Sequence, residues 1–193
     1  MKFLCRFTGS LILIFSLFLN LVNPVFLGAQ EVYPCIWRNP ERTMVKIFPQ
    51  AKDYRTMSAK ISREKLAVIE KKLGSKLLPG QREQFQYHEL IDSSGTLLGW
   101  IIPSAQKGEY GAIEFVFGLD RQNKVNGVYV QRSRERDKEF KKEEFLSQFA
   151  GKSVSDGEGL AAGIKAVKTK GTESVIQGFR KELIAFNELF LAP

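Results

Sequence analysis

The feature that most constrains the fold of this 193-residue chain is the spacing of apolar residues in its middle third. Between residues 84 and 130 apolar side chains recur at every second position, most clearly around Phe115 and Phe117. This period places alternate side chains on opposite faces of an extended chain. Residues typical of turns, such as those at 92–95, separate the runs. The pattern predicts four β-strands, at residues 84–91, 97–102, 112–119 and 125–130.

The short connections between these strands predict hairpins, and therefore an antiparallel sheet with one face on the core. Pro103 is expected to end the second strand, and residues 106–111 are expected to form a loop. The single histidine, His88, alternates with Tyr87 and is predicted to lie on the solvent face. Trp100 and the strand phenylalanines are predicted core residues.

Amphipathic helices are predicted on both sides of the strands. Residues 62–74 begin at the N-cap candidate Ser62 and end at Gly74, a residue type that commonly terminates helices. In the last helix apolar residues recur every three or four positions, at Val175, Phe179, Leu183, Phe186 and Phe190. Thr172 or Ser174 is expected to cap it. Strands grouped between helices predict an α+β fold: an antiparallel β-sheet flanked by helices.

Three further segments connect the strands to the last helix. The densely charged run at 132–142 predicts a solvated loop or the start of a helix. Residues 145–149 predict a short helix, and the Gly- and Ser-rich residues 153–163 predict a loop.

The first 29 residues have the features of a secretory signal peptide: two basic residues, an apolar run and small residues ending at Ala29. Cleavage predicts a mature N-terminus near Gln30 and a periplasmic or other extracytoplasmic location. The alternative is an uncleaved N-terminal anchor. Residues 30–75 form a lead-in and the first helix, irregular up to Tyr54 except for a helical turn between residues 41 and 48. Residues 76–193 form the main domain.

Several kinds of chemistry lack the residues that they need. Loss of Cys5 with the signal peptide leaves Cys35 without a disulfide partner. One histidine and one cysteine are too few for a dedicated zinc or haem site or for a catalytic triad. The net charge of +8 comes from basic residues scattered among acidic ones, and export argues against a nucleic-acid partner. This charge suits an anionic ligand, an anionic membrane surface or an acidic protein.

The stretch at 166–183 combines a polar turn with the start of the last helix. Its hydroxyls and glycine, at Thr169, Gly171 and Thr172, precede a helix whose first N–H groups and dipole favour an anion. Lys168 and Lys170 add positive charge. The stretch is therefore consistent with a phosphate site, but by itself it favours an ordinary capped helix beside a basic loop, because helix caps are much commoner than anion sites.

The order of segments between residues 46 and 183 resembles a known family. The matching segments are IFPQA at 47–51, LGWI at 98–101, GEYG at 108–111, AIEFVFG at 112–118, VNGVYV at 125–130, Arg134 with Glu135, and FLSQFAGK at 145–152. They are similar to the FMN-binding domain of periplasm-facing subunits of the sodium-pumping NADH:quinone oxidoreductase and related electron-transfer complexes. Small secreted members of this family also stand alone.

The resemblance implies a phosphate-binding position near Thr169. An ungapped alignment of the last helix places residues 166–169 on the family's Ser-Gly-Ala-Thr signature. In members with covalent flavin the threonine at the position of Thr169 is esterified to the FMN phosphate; a shifted alignment makes Thr172 the counterpart. Of the four signature residues, this chain has only the threonine, at Thr169. Gly163 stands where flavin-transferring enzymes usually need an acidic residue, which argues against covalent attachment.

Two functions follow from this comparison. The first is an exported flavoprotein that binds FMN and carries electrons, alone or with a membrane complex, rather than a substrate-converting enzyme. The residues expected at its flavin are Thr169, Gly171, Thr172, Ser174, Lys168, Lys170, Arg134 and Glu135. The second is a non-redox periplasmic binding or interaction module that keeps the fold with a degenerate flavin site.

Overall fold

The computed structural model describes residues 41–192. The predicted signal peptide, its cleavage site and Cys35 lie outside the described residues. Five strands form one antiparallel sheet in which each strand pairs with the next along the chain. They are β1 (Asp53–Lys60), β2 (Gln84–Ile91), β3 (Leu97–Lys107), β4 (Ala112–Asp120) and β5 (Val125–Arg132). Together with the helices around it, this sheet confirms the predicted α+β class.

The helices lie before, between and after the strands, and all but α4 fall where the sequence predicts helical structure. They are α1 (Glu41–Ile47), α2 (Arg63–Leu73), α3 (Glu143–Leu146), α4 (Leu160–Gly163) and α5 (Lys170–Phe186). Short 3₁₀ turns occupy Pro79–Gln81, Glu139–Lys141, Ser147–Phe149 and Val154–Gly157, and a π-helical turn at Asn187–Leu191 follows α5. The Ser62 side chain accepts a hydrogen bond from Lys65 N, and Gly74 ends α2 with a φ of +74°. Both predicted caps of α2 are thus confirmed.

The sequence reading missed β1, because it predicted an irregular chain up to Tyr54 and only four strands. Most side chains of β1 are exposed, so the segment has no alternating apolar pattern to detect. It is an edge strand that pairs along its length with β2, from Asp53 opposite Ile91 to Lys60 opposite Gln84. Backbone pairing of this kind depends on the neighbouring strand rather than on apolar side chains.

The prediction of a sheet with one covered face is wrong, because both faces carry a core. On one face α5 packs against β4, where the Phe179 ring stacks on Phe117 at 4.5 Å and on Phe149 at 4.0 Å between ring centroids. On the other face α1 contributes Met44, Ile47 and Phe48, which cluster with Leu90, Ile101 and Val116. The predicted burial of Phe179 and Leu183 is confirmed, whereas Phe190 is 39% exposed in the π-helical turn.

His88 is buried, not a surface residue as the sequence predicted. Only 4% of it is exposed. Its ring packs edge-on against Tyr54 at 5.4 Å between centroids, and Nδ1 lies 3.1 Å from the Thr56 hydroxyl. Burial lowers the pKa of His88 by disfavouring the charged imidazolium. Trp100 packs against the core as predicted, with its ring 5.7 Å from that of Phe186.

β3 continues through Pro103 to Lys107, so the predicted end of this strand at residue 102 is wrong. Along this half of β3 the carbonyls of Ala105 and Lys107 accept hydrogen bonds from the Lys181 and Ser174 side chains of α5. Pro103 precedes Ala105 by two residues and Lys107 by four, so its backbone nitrogen faces the same edge of β3, away from β4. Its missing N–H therefore removes no bond from the β3–β4 ladder. This arrangement places the start of α5 beside the end of β3.

The charged run at 132–142 is only partly the solvated segment that the sequence predicts. Its residues follow β5 as a loop and a 3₁₀ turn, but Glu135 and Phe140 are buried, with 2% and 0% exposed. Residues 143–149 form the predicted short helix as α3 and a following 3₁₀ turn. The predicted loop at 153–163 contains a 3₁₀ turn and α4.

Candidate functional site

The start of α5 is held by two threonines that bond to each other. Thr169 is the N-cap: its hydroxyl oxygen accepts from Thr172 N at 3.1 Å, and Thr172 Oγ1 accepts from Thr169 N at 3.1 Å. The expected caps, Thr172 and Ser174, are therefore wrong, because α5 begins at Lys170. This boundary is hard to predict from the sequence, because Thr172 occupies the capping-box position at which Glu or Gln is usual.

The two threonine hydroxyls differ in what they can offer a ligand. Thr172 is 1% exposed, and its hydroxyl donates to the Val167 carbonyl at 2.7 Å. Its only proton is therefore used inside the protein. Thr169 is half-buried, and its hydroxyl accepts from Thr172 N. Because the Thr172 proton goes to Val167, the Thr169 hydroxyl is the donor in the 3.2 Å contact between the two hydroxyl oxygens. Of the two hydroxyls, that of Thr169 is the more exposed.

Gly171 faces the protein interior. A Cβ atom built on it would lie 2.3 Å from Phe140 Cδ1 and 2.9 Å from Asp137 Oδ2. Asp137 Oδ1 accepts from Glu139 N, while Oδ2 is buried without a hydrogen-bond partner in the described part of the chain. A carboxylate beside the first turn of a helix is stabilised by the helix dipole. The packing of Phe140 thus accounts for glycine at position 171.

A cleft of about 480 Å³ opens beside the first two turns of α5. Lys168, Lys170, Thr172 and Ser174 of the predicted site line it, whereas Thr169 and Gly171 do not. Its other walls come from three segments. The end of β3 contributes Gln106 and Lys107, and the segment from α4 onward contributes Ala161, Ile164 and Ala166. The helix α5 itself adds Glu173, Ile176 and Gln177. The volume falls in the range of small-molecule and cofactor sites.

Ser174 connects the cleft to the sheet. It is 5% exposed, and its hydroxyl donates to the Lys107 carbonyl at 2.9 Å. This bond uses the serine proton, so Ser174 can offer a ligand only its acceptor lone pairs. Its observed role is to hold the first turn of α5 against β3.

Arg134 and Glu135 follow β5 in the chain and contact the turn between β3 and β4. Both lie outside the lining of the cleft. The buried Glu135 accepts from Tyr110 N at 2.9 Å, and its carboxylate fills the space where a Cβ on Gly108 would lie. Arg134 is exposed beside Gly111. The turn directly follows Lys107, so both residues are at the same end of the sheet as α5. The structure brings the eight predicted residues to one region, but only four of them line one cleft.

Sequence reasoning missed most of the other residues of the cleft. The sequence predicts a loop at Gln106 and Lys107, because Pro103 is expected to end β3. Ile164 comes from a Gly-rich segment without a periodic pattern, and it is 8% exposed. Ile176 lies beside the apolar stripe of α5, so helical spacing alone predicts its position near the cleft.

Within residues 41–192 no group of three or more His, Cys, Asp or Glu side chains is placed to hold a metal ion. No helix in the same range has both the length and the apolar character needed to cross a bilayer.

The fold and the cleft define an α+β protein with a basic, partly apolar site at the start of its last helix. No protein-family model matches the chain, and no curated protein matches it significantly.

Proposed function

We propose that this chain is an exported FMN-binding flavoprotein that carries electrons, with the flavin in the cleft beside α5. The observation that carries the proposal is the composition of this 480 Å³ cleft. It combines two exposed lysines, Lys168 and Lys170, with apolar contacts from Ile164 and Ile176. A phosphate-bearing, largely aromatic molecule needs both kinds of surface.

The phosphate end of the ligand fits the first turn of α5. The N–H groups of Lys170 and Gly171 are the first of the helix and have no carbonyl within it to bond. The helix dipole and the two lysine charges favour a dianion there. The Thr169 hydroxyl lies next to these groups and can turn its proton from Thr172 Oγ1 to the phosphate. The phosphate is expected to lie on the Lys168 and Lys170 side of the turn, because Phe140 occupies the other side at Gly171.

Bound FMN supplies the redox chemistry, and the protein supplies orientation and charge. Lys107 at the end of β3 and Lys170 on α5 line the same cleft. Their positive charges favour reduced, anionic flavin over the oxidised form. A membrane electron-transfer complex is the proposed partner, and the predicted signal peptide would place the protein on its extracytoplasmic side.

The first test is the absorption spectrum of protein purified from its native host. We expect flavin bands in the blue and near-ultraviolet. Replacing both Lys168 and Lys170 with Gln should weaken FMN binding about tenfold or more, since each charge contributes on the order of 1 kcal/mol. The matched control is Lys52→Gln with Lys124→Gln, which removes the same charge outside the cleft. Equal FMN affinity in both double variants would place the flavin elsewhere.

Thr169 variants separate capping from any covalent bond. Thr169→Asn keeps a good N-cap but removes the hydroxyl, whereas Thr169→Ser keeps both. We expect wild type to release FMN when it is denatured in acid, because Gly163 replaces the acidic residue of the family pattern. Flavin that stays with denatured wild type and Thr169→Ser but not with Thr169→Asn would instead establish an ester at this residue.

The second candidate function is a non-redox binding or interaction module. It is favoured by the mutual hydrogen bonds of Thr169 and Thr172 and by the Asp137 carboxylate beside Gly171. These groups complete the start of α5 without a ligand. A colourless protein from the native host that does not bind added FMN would support this function and exclude the first.

A further inference from the structure

The wall segment, residues 164–168, connects α4 to α5 and contributes side chains to two cavities. Every second residue of it lines the cleft beside α5: Ile164, Ala166 and Lys168. Lys165 and Val167 instead line a different cavity, of about 350 Å³, which Ala166 also reaches. The side chains therefore alternate between the two cavities, as they do along an extended chain.

This alternation makes the register of the wall segment decisive for the cleft. A shift by one residue would exchange the two sets of side chains. It would turn Lys168, a proposed phosphate contact, out of the cleft and bring Val167 into it. Ile164 is the only buried residue of the segment, and the four that follow are exposed. Apolar burial thus fixes only the start of the segment, so hydrogen bonds must hold the rest.

The side chain of Gln148 supplies hydrogen bonds to the middle of the wall segment. Its Oε1 accepts from Lys165 N at 2.7 Å, and its Nε2 donates to the Lys165 carbonyl at 2.8 Å. The same nitrogen donates to the Glu144 carbonyl at 2.9 Å. The amide thus bonds both backbone groups of one residue, as the opposite residue of an antiparallel strand would.

Gln148 extends from a turn that is itself held by the core. It lies in the 3₁₀ turn Ser147–Phe149, and Phe149 is fully buried with its ring stacked on Phe179. Further along the wall segment, the Thr172 hydroxyl donates to the Val167 carbonyl at 2.7 Å. Gln148 therefore connects the core to the wall segment two residues before the bond from α5.

We propose that Gln148 is a positioning residue for the cleft beside α5. Its amide holds the wall segment in the register that directs Ile164, Ala166 and Lys168 to the ligand, although Gln148 does not line that cleft. The inference rests on the proposed function for the identity of the ligand, FMN. The part that concerns the wall segment can be measured without any ligand.

The test compares wild type with Gln148→Met, which keeps the length of the side chain and removes its amide. Tryptic cleavage after Lys165 and Lys168, followed by mass spectrometry on protein without FMN, should become about tenfold faster, because both hydrogen bonds to Lys165 are lost. The FMN affinity should fall about fivefold or more, since fewer molecules hold the wall segment in the binding register. The midpoint of urea denaturation should change little, because Gln148 is only half-buried.

The control is Gln122→Met, at an exposed position in the turn between β4 and β5, and it should change neither the cleavage nor the FMN affinity. Equal cleavage rates in wild type and Gln148→Met would overturn the proposal, and so would equal FMN affinities. A wild type that binds no FMN overturns the proposed function instead, and the cleavage rates then decide alone whether Gln148 holds the wall segment.

Should Gln148→Met fail to fold, Gln148→Glu replaces it. This variant keeps an acceptor for Lys165 N and removes only the two bonds that the amide nitrogen donates. Cleavage after Lys165 should again be faster than in wild type, and an unchanged rate would overturn the proposal.

Discussion

At residue 171 the structure gives a reason for glycine that differs from the one that the sequence suggests. The sequence places Gly171 in a candidate phosphate-binding turn, whereas the ring of the fully buried Phe140 occupies the space where a Cβ on this residue would lie. A residue can therefore lie within a candidate ligand-binding stretch and still be required by packing. Loss of flavin in a Gly171 variant would not by itself identify a phosphate contact.

Gly171→Ala is expected to lower the free energy of unfolding by about 1–3 kcal/mol, because the added methyl group overpacks against Phe140. The measurement is urea denaturation at equilibrium. Gly159→Ala is the control, since nothing lies within 4 Å of a Cβ at that position. Equal midpoints for the two variants would show that Phe140 moves aside at little cost.

His88 should make stability depend on pH. Its pKa is lowered by burial, so below its ordinary value of 6.5 the unfolded chain binds a proton that the folded chain resists. Stability should therefore fall as pH decreases through about 6.5. Denaturant midpoints measured between pH 8 and pH 5.5 should show this fall in wild type and a smaller one in His88→Gln. Parallel curves for the two proteins would assign the pH dependence to other groups.

At the scale of elements, α5 connects the core to the cleft at its start. Its inner face supplies Phe179 and Leu183 to the core, and both are fully buried. Its side chains Ser174 and Lys181 donate hydrogen bonds to the edge of β3 that β2 leaves unpaired. The same helix therefore fixes the sheet and presents Lys170 to the cleft.

Phe179→Ala is expected to lower the free energy of unfolding by about 3–5 kcal/mol, because it leaves a cavity within the phenylalanine stack. Phe190→Ala removes the same side chain from a position that is 39% exposed and should cost much less. Chemical denaturation of both variants measures the difference. Similar losses would mean that Phe190 contributes to the core as much as the stacked ring does.

At the scale of the whole chain, the export prediction depends on residues that lie outside the described range. We expect a mature N-terminus near Gln30, since small residues end at Ala29 after an apolar run. N-terminal sequencing of protein from the native cell measures it. Intact residues 1–29 recovered in the membrane fraction would favour the anchor instead.

The amino-acid sequence by itself determined the elements whose signal is local. Alternation predicted β2, β4 and β5, and the pair Ser62 and Gly74 marked both ends of α2. These signals are readable because each depends on a few neighbouring residues: side chains alternate along a strand, and a cap bonds within one turn. The α+β class follows from the order of such elements.

Only the tertiary structure decided which surfaces are covered and which residues meet. β1 exists because β2 pairs with it, His88 packs against Tyr54 and Thr56 of β1, and Glu135 accepts a hydrogen bond from the β3–β4 turn. The grouping of Lys107 with Lys170 likewise depends on α5 lying against β3. Burial and proximity depend on segments far apart in sequence, so no local pattern encodes them.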